Sequence, residues 1–245
     1  MTARFGFLGL ALICGQVLAA NMASAQALQD RQRQQPFTCP EMPAATYTLA
    51  IDSQDVEIIE TAGPAQLRGL FDQHNRAGGH YGSSSPAGYA DAVIGGLHHG
   101  ELRLRSEIKM LQATRSDTTM ACLGVQVLEL SLIYDPTIYI SRTKPRGTCE
   151  YDAALQHEYK HLTTDLEILR DWVPRLRDAA RAGLDRVAEP MLVRASGLTQ
   201  SRDRIQQLVT APLDKAMDQL EMERERRQTA IDTPEEYERV ARQCP

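Results

Sequence analysis

His157-Glu-Tyr-Lys-His161 sets two imidazoles four residues apart, with a carboxylate beside the first. On an α-helix, residues four apart lie about 40° from each other around the axis and one turn apart along it. Both rings can therefore turn a nitrogen to one ion. Zinc accepts imidazole readily, and a catalytic zinc keeps one position for water. Glu158 is then placed to take a proton from that water and pass it to a leaving amine. The chemistry this predicts is metal-assisted hydrolysis, with zinc ligands at His157 and His161 and a general base at Glu158. Zinc needs a third protein ligand. Asp165 continues the series 157, 161, 165 on one side of the helix and is the expected ligand, whereas Glu167 and Asp171 point away by about 80–120°. Further candidates are His80, His98 or His99 from upstream, and Asp214, Asp218 or Glu221 from downstream.

The motif needs a helix to carry it, and the sequence supplies one. Leu155, Tyr159, Leu162, Leu166, Leu169, Val173, Leu176 and Ala180 step by alternating fours and threes, the seam of a long helix packed on another. The histidines lie roughly 110–150° from that seam, and Ala154, Ile168 and Trp172 share their side. A helix with two apolar stripes is expected to sit between a second helix and a sheet. Pro174 predicts a kink or break near Trp172. The second helix runs from about Gln200 to Arg227, with Ile205, Leu208, Met217 and Leu220 on its apolar face and Pro212 inside it. Asp232-Thr-Pro-Glu-Glu236 has the cap, the first-turn proline and the acids of a further helix start.

Upstream the period is two. Tyr47, Leu49 and Ile51 alternate with polar residues, as do Val56 and Ile58. Thr61-Ala-Gly-Pro64 opens a short helix with Leu67, Leu70 and Phe71 on one face. Residues 76–100 are rich in Gly and Ser and read as a long loop. Leu102, Leu104, Ile108 and Met110 then point one way. Leu123, Val125 and Val127 do the same, and the phase slips at Val127-Leu128, which predicts a bulge. Asp135-Pro136 reads as a turn before a last strand at Ile138–Ile140. Strands first and helices after give an α+β fold. The expected architecture is an antiparallel sheet over 47–141, then the long motif-bearing helix packed on a second long helix, in a single domain 47–245 with its helical part at 149–243.

The chain opens on Arg4, an apolar run and Ala23-Ser24-Ala25, the order of a secretory signal cleaved near Ala25. Residues 26–46 read as an extended, Gln-rich leader. With Arg4 removed, 26 basic residues stand against 32 acidic ones, a net charge of −6. That balance argues against a nucleic-acid partner, and no run is apolar enough for stable membrane insertion. Cys39, Cys122, Cys149 and Cys244 remain, an even number in an exported chain, so two disulfides are expected. The favoured pairing is Cys122–Cys149 with Cys39–Cys244. Periplasmic or secreted localisation follows from the same features.

Cys149-Glu-Tyr-Asp-Ala-Ala-Leu-Gln-His-Glu-Tyr-Lys-His-Leu-Thr-Thr-Asp165 resembles the helix of zincin-type metallopeptidases. More narrowly, it is similar to a group of proteobacterial exported proteins that are predicted zinc proteases. Those carry a cysteine and a tyrosine just before the motif and an aspartate four residues after its second histidine. The resemblance implies Zn2+ at His157 and His161, Glu158 as general base, and a peptide or protein substrate aligned along a strand between Glu101 and Ile140. The expected function is that of an exported zinc metallopeptidase. Its rivals are a non-enzymatic periplasmic binding protein built on a helical hairpin, and a zinc amidase acting on peptidoglycan.

Overall fold

The computed structural model describes residues 37–76, 94–115 and 119–244. The expected signal segment, part of the leader, His80 and most of the Gly-rich stretch lie outside them. Five strands form one sheet: β1 (Thr46–Ser53), β2 (Glu57–Ile59), β3 (Gly96–Thr114), β4 (Met120–Ile140) and β5 (Met191–Arg194). Four helices accompany it: α1 (Pro64–Arg76), α2 (Cys149–Asp185), α3 (Leu198–Thr229) and α4 (Pro234–Ala241). The α+β class therefore holds.

The sheet is mixed rather than antiparallel. β4 is its spine. β3 pairs antiparallel along the whole of one edge, from Gly96↔Ile140 to Thr114↔Ala121. On the other edge β5 is antiparallel, but β1 and β2 run parallel to β4, from Thr46↔Val127 to Ser53↔Tyr134 and from Glu57↔Thr137 to Ile59↔Tyr139. Alternation along a strand reports which face is buried. It carries no information on the direction of the neighbour. The expected bulge is present, since Lys109 pairs with Val127 and Met110 with Val125, leaving Gln126 extra on β4. Pro136 does not turn the chain. It sits inside β4 at the gap between the last β1 pair, at Tyr134, and the first β2 pair, at Thr137, where a missing N–H costs no bond to β1 or β2.

The helices cover one face. Leu128, Leu130, Leu132, Tyr134, Ile138 and Ile140 of β4 are buried against Ile168, Leu169, Trp172, Leu176 and Ala180 of α2 and Ile205, Val209, Leu213 and Leu220 of α3. Each fully buried Leu or Ile stabilises the fold by about 1.5–3 kcal/mol. Burial of Trp172, Val173 and Leu176 outweighs the roughly 3 kcal/mol that an interior proline costs, and α2 runs through Pro174 without a break. α3 likewise continues through Pro212. Thr148 caps α2 by accepting from the Tyr151 N–H, with Glu150 and Asp152 in the first turn. Tyr159 and Leu166, expected in the seam, are exposed.

The disulfides are Cys39–Cys122 and Cys149–Cys244, with Cα separations of 5.5 and 5.6 Å, not the expected pairing. The parallel register explains the first: extending back from Thr46↔Val127 brings Cys39 alongside the start of β4. Cys122 and Cys149 are kept apart by roughly 60 Å of strand, since β4 continues eighteen residues beyond Cys122 to Ile140 before α2 begins at its far end. No helix among the described residues is long and apolar enough to cross a membrane.

Candidate metal centre

α2 holds the two histidines on its buried side, with ring centroids 4.9 Å apart and planes at 79°. Their Nε2 atoms are 3.3 Å apart. The chain between α3 and α4 brings in Asp232, whose Oδ1 lies 3.2 Å from His157 Nε2 and 3.2 Å from His161 Nε2. Thr233, not Asp232, caps α4 by accepting from the Glu236 N–H, which leaves the Asp232 carboxylate to face the rings. The three side chains are 9, 9 and 17 % exposed.

These distances fit a tetrahedral ion. Zinc bonds of 2.0–2.1 Å at the tetrahedral angle require ligand atoms about 3.3–3.4 Å apart. The three atoms already form a near-equilateral triangle of that size. The outer hydrogen bonds fit as well. His157 Nδ1 lies 3.3 Å from Glu236 Oε1, and His161 Nδ1 lies 2.5 Å from Gln228 Oε1. Gln228 donates from its amide to the His161 carbonyl at 3.0 Å and to Asp165 Oδ1 at 2.7 Å, so its own carbonyl must face His161. These acceptors hold a proton on Nδ1 of each ring, so that Nε2, which faces Asp232, is the nitrogen that would give up its proton to a metal at the common point. Two imidazoles and a carboxylate form a donor set that can hold a divalent cation.

Asp165, the expected third ligand, is buried elsewhere. It accepts from Arg224 Nε at 3.0 Å and Nη2 at 2.8 Å, from the Tyr134 hydroxyl at 2.9 Å, and from Gln228. Those donors occupy its lone pairs. Burial would raise its pKa, but the Arg224 guanidinium outweighs that and holds it below the usual carboxylate range. Its role is in the support of His161, through Gln228. Asp214, Asp218 and Glu221 also stay away from the rings: the first two are exposed on α3, and Glu221 pairs with Arg224. His98 and His99 belong to β3, not to a loop. His98 is buried, parallel to the His161 ring at 6.2 Å, with its Nε2 3.2 Å from the Tyr134 hydroxyl. That hydroxyl donates to Asp165, so His98 carries its proton on Nε2. Burial lowers its pKa to about 3. Tyr151 donates to Glu60 at 2.5 Å, where Arg146 also binds, and takes no part in the triangle.

Glu158 is buried beside the triangle. Burial raises its pKa, against the charges of His161 and His157 and one hydrogen bond from the His98 backbone. β3 passes so closely that a Cβ on Gly96 would stand 2.5 Å from Glu158 Oε1, and one on Gly100 would stand 2.7 Å from Asp165 Oδ2. These glycines let the strand lie against the polar side of α2. Burial opposes charge on His161, but Asp232, by hydrogen bond and by charge, with Glu158 behind it, raises the pKa to about 9. Asp232 is held well below the usual range: burial opposes its charge, and its hydrogen bonds to both histidines prevail.

No protein-family model, curated protein or solved structure matches the chain. The residues themselves therefore carry the functional reading.

Four participants escape a reading of the sequence alone: Asp232, Gln228, Glu236 and Tyr237. Tyr237 donates to Asp232 Oδ1 at 3.0 Å and lays its ring 5.6 Å from that of His157. The signal at Asp232–Glu236 is visible as a helix start. Only the antiparallel return of α3 along α2 shows that this start falls on the histidines.

Proposed function

We propose that the protein is an exported zinc metallopeptidase, with His157, His161 and Asp232 as zinc ligands and Glu158 as general base. The observation that carries the reading is the triangle of His157 Nε2, His161 Nε2 and Asp232 Oδ1, 3.2–3.3 Å on each side, next to a buried glutamate. Zinc held there would lower the pKa of water from 15.7 to about 7 and polarise a carbonyl oxygen. Three protein ligands leave the open position that distinguishes catalytic from structural zinc sites. Glu158 takes the proton of the attacking water and delivers it to the departing nitrogen. Its raised pKa suits both halves of that transfer, since the base must hold the proton between the two steps. Gln228 and Glu236 keep both imidazoles in the ligating tautomer throughout. The two disulfides, and the absence among the described residues of a helix able to span a membrane, are compatible with an exported protein.

A peptide substrate is favoured over a peptidoglycan amide by the strand beside Glu158. β3 pairs with β4 on one side and, among the described residues, with no strand on the other. An extended peptide can add along that edge through main-chain hydrogen bonds. The test is zinc content and hydrolysis of the mature protein and of Glu158→Gln. About one zinc per chain in both, with cleavage of an unstructured protein such as casein only in the first, is the expected result. Equal hydrolysis by Glu158→Gln rules out the mechanism, and cleavage of muropeptides in place of casein moves the substrate to the amidase class.

A further inference from the structure

We infer that the Cys149–Cys244 disulfide is a clasp that completes the metal centre, so the enzyme becomes active only after oxidation in the export compartment. The inference rests on the metal reading above and concerns its regulation. The centre is built from two pieces. His157, Glu158 and His161 belong to α2, which is anchored by its buried face. Asp232, Glu236 and Tyr237 belong to the terminal segment 230–244. No residue of that segment is fully buried, and α4 contributes nothing to either apolar cluster.

Polar contacts dock the segment: Glu236 to Lys160 at 2.5 Å and to His157, Asp232 to both histidines, and the Gln243 amide to Gln156 at 3.2 Å. The Lys160–Glu236 and Gln243–Gln156 contacts are exposed at one or both partners and contribute little each. The contacts to the histidines are largely buried but join polar groups alone, with no apolar packing beneath them. The covalent link is the disulfide. Cys149 opens α2 eight residues before His157, and Cys244 ends the segment, so one bond fastens the piece that carries the third ligand to the helix that carries the other two. The second disulfide, Cys39–Cys122, joins the chain before β1 to β4 and touches no element of the centre.

Forming the clasp removes two protons and two electrons from the thiols of Cys149 and Cys244. The acceptor is the disulfide of an exported thiol oxidase, which leaves as its dithiol after a mixed-disulfide intermediate. Before export both thiols stay reduced, as cytoplasmic thiols do. The terminal segment is then without its covalent tie, and Asp232, with Glu236 and Tyr237, is left over the histidines on polar contacts and one ring contact alone. The peptidase is inert where it is made.

The test compares the oxidised mature protein with Cys149→Ser/Cys244→Ser and with Cys39→Ser/Cys122→Ser. Serine replaces cysteine because free thiols would bind zinc themselves. Zinc affinity is read by competition with a chromophoric chelator, and hydrogen exchange is read on the metal-free proteins. The first double variant should bind zinc roughly ten- to hundredfold more weakly, the range for loss of the partners that orient metal ligands. Its exchange should rise across residues 230–244 and nowhere in α2 or the body of α3. The second should hold zinc within about threefold of the unmodified protein. Equal weakening in both variants, unchanged affinity and protection in the first, or failure of the first to fold would each overturn the inference. Absence of zinc from the unmodified protein would instead overturn the metal reading, and the exchange data would still report on the clasp.

Discussion

Replacing Asp165 by asparagine removes one charge from a wholly buried pair without changing its shape. In the folded protein the Asp165 side chain is 0 % exposed and that of Arg224 is 7 % exposed. Two guanidinium nitrogens, the Tyr134 hydroxyl and the Gln228 amide all point at the carboxylate. Removing one partner of such a pair costs about 3–5 kcal/mol, because the other charge stays buried without compensation. Glu221 and the Gly100 carbonyl still contact Arg224, so the lower end, about 3 kcal/mol, is expected. At about 2–4 °C per kcal/mol for a chain of this size, Tm falls by about 6–12 °C. The effect has a pH signature. The folded pKa of Asp165 is depressed, so its contribution is present above the unfolded value near 3.9 and is lost as pH falls through the folded value. Urea unfolding at pH 7 should therefore separate the two proteins, and unfolding near pH 3 should bring them closer. Replacing Asp165 and Arg224 together by leucine and methionine should restore most of the loss. A cost under about 1 kcal/mol at pH 7, or loss of zinc from Asp165→Asn as complete as from Asp232→Asn, would refute the reasoning.

Further outcomes follow from the same contacts. Gly96→Ala places a methyl group against Glu158 Oε1, so kcat should drop at least tenfold while zinc content holds; unchanged kcat would show that Glu158 has room to move. Gln228→Leu removes the acceptor of His161 Nδ1 and should weaken zinc binding about 10–100-fold, read by chelator competition. The pH dependence of zinc affinity is set by the proton the metal must displace: with His161 raised to about 9, apparent affinity should climb with pH to about 9 and then level off. In the metal-free protein the sign reverses. A raised pKa stabilises the fold fully below the unfolded value near 6.5, and that contribution fades as pH rises through about 9, so metal-free Tm should fall across this window.

The helix and its pair of imidazoles are legible in the sequence because spacing along one helix is a local property. The bulge is legible for the same reason, as a slip of phase at Val127-Leu128, next to the residue, Gln126, that is extra on β4. What sequence reasoning misses is every feature decided by elements distant along the chain. Asp165 lies on the expected side of α2, but Arg224, 59 residues on, arrives opposite it and takes its carboxylate. Asp232 arrives from 71 residues beyond His161, once α3 has doubled back. The disulfide pairing and the direction of β1 fail together, because the parallel register of β1 on β4 puts Cys39 beside Cys122. His98 has the look of a loop residue because Gly95, Gly96 and Gly100 surround it, yet Gly96 and Gly100 serve the close passage of a strand over Glu158 and Asp165.

The most direct test of the central claim is an anomalous difference map at the zinc edge, from crystals of the mature protein grown without chelator. A single peak about 2.0–2.2 Å from His157 Nε2, His161 Nε2 and one oxygen of Asp232 is the predicted result. A peak ligated by Asp165, or bound zinc with Asp232 turned away from both rings, would contradict it.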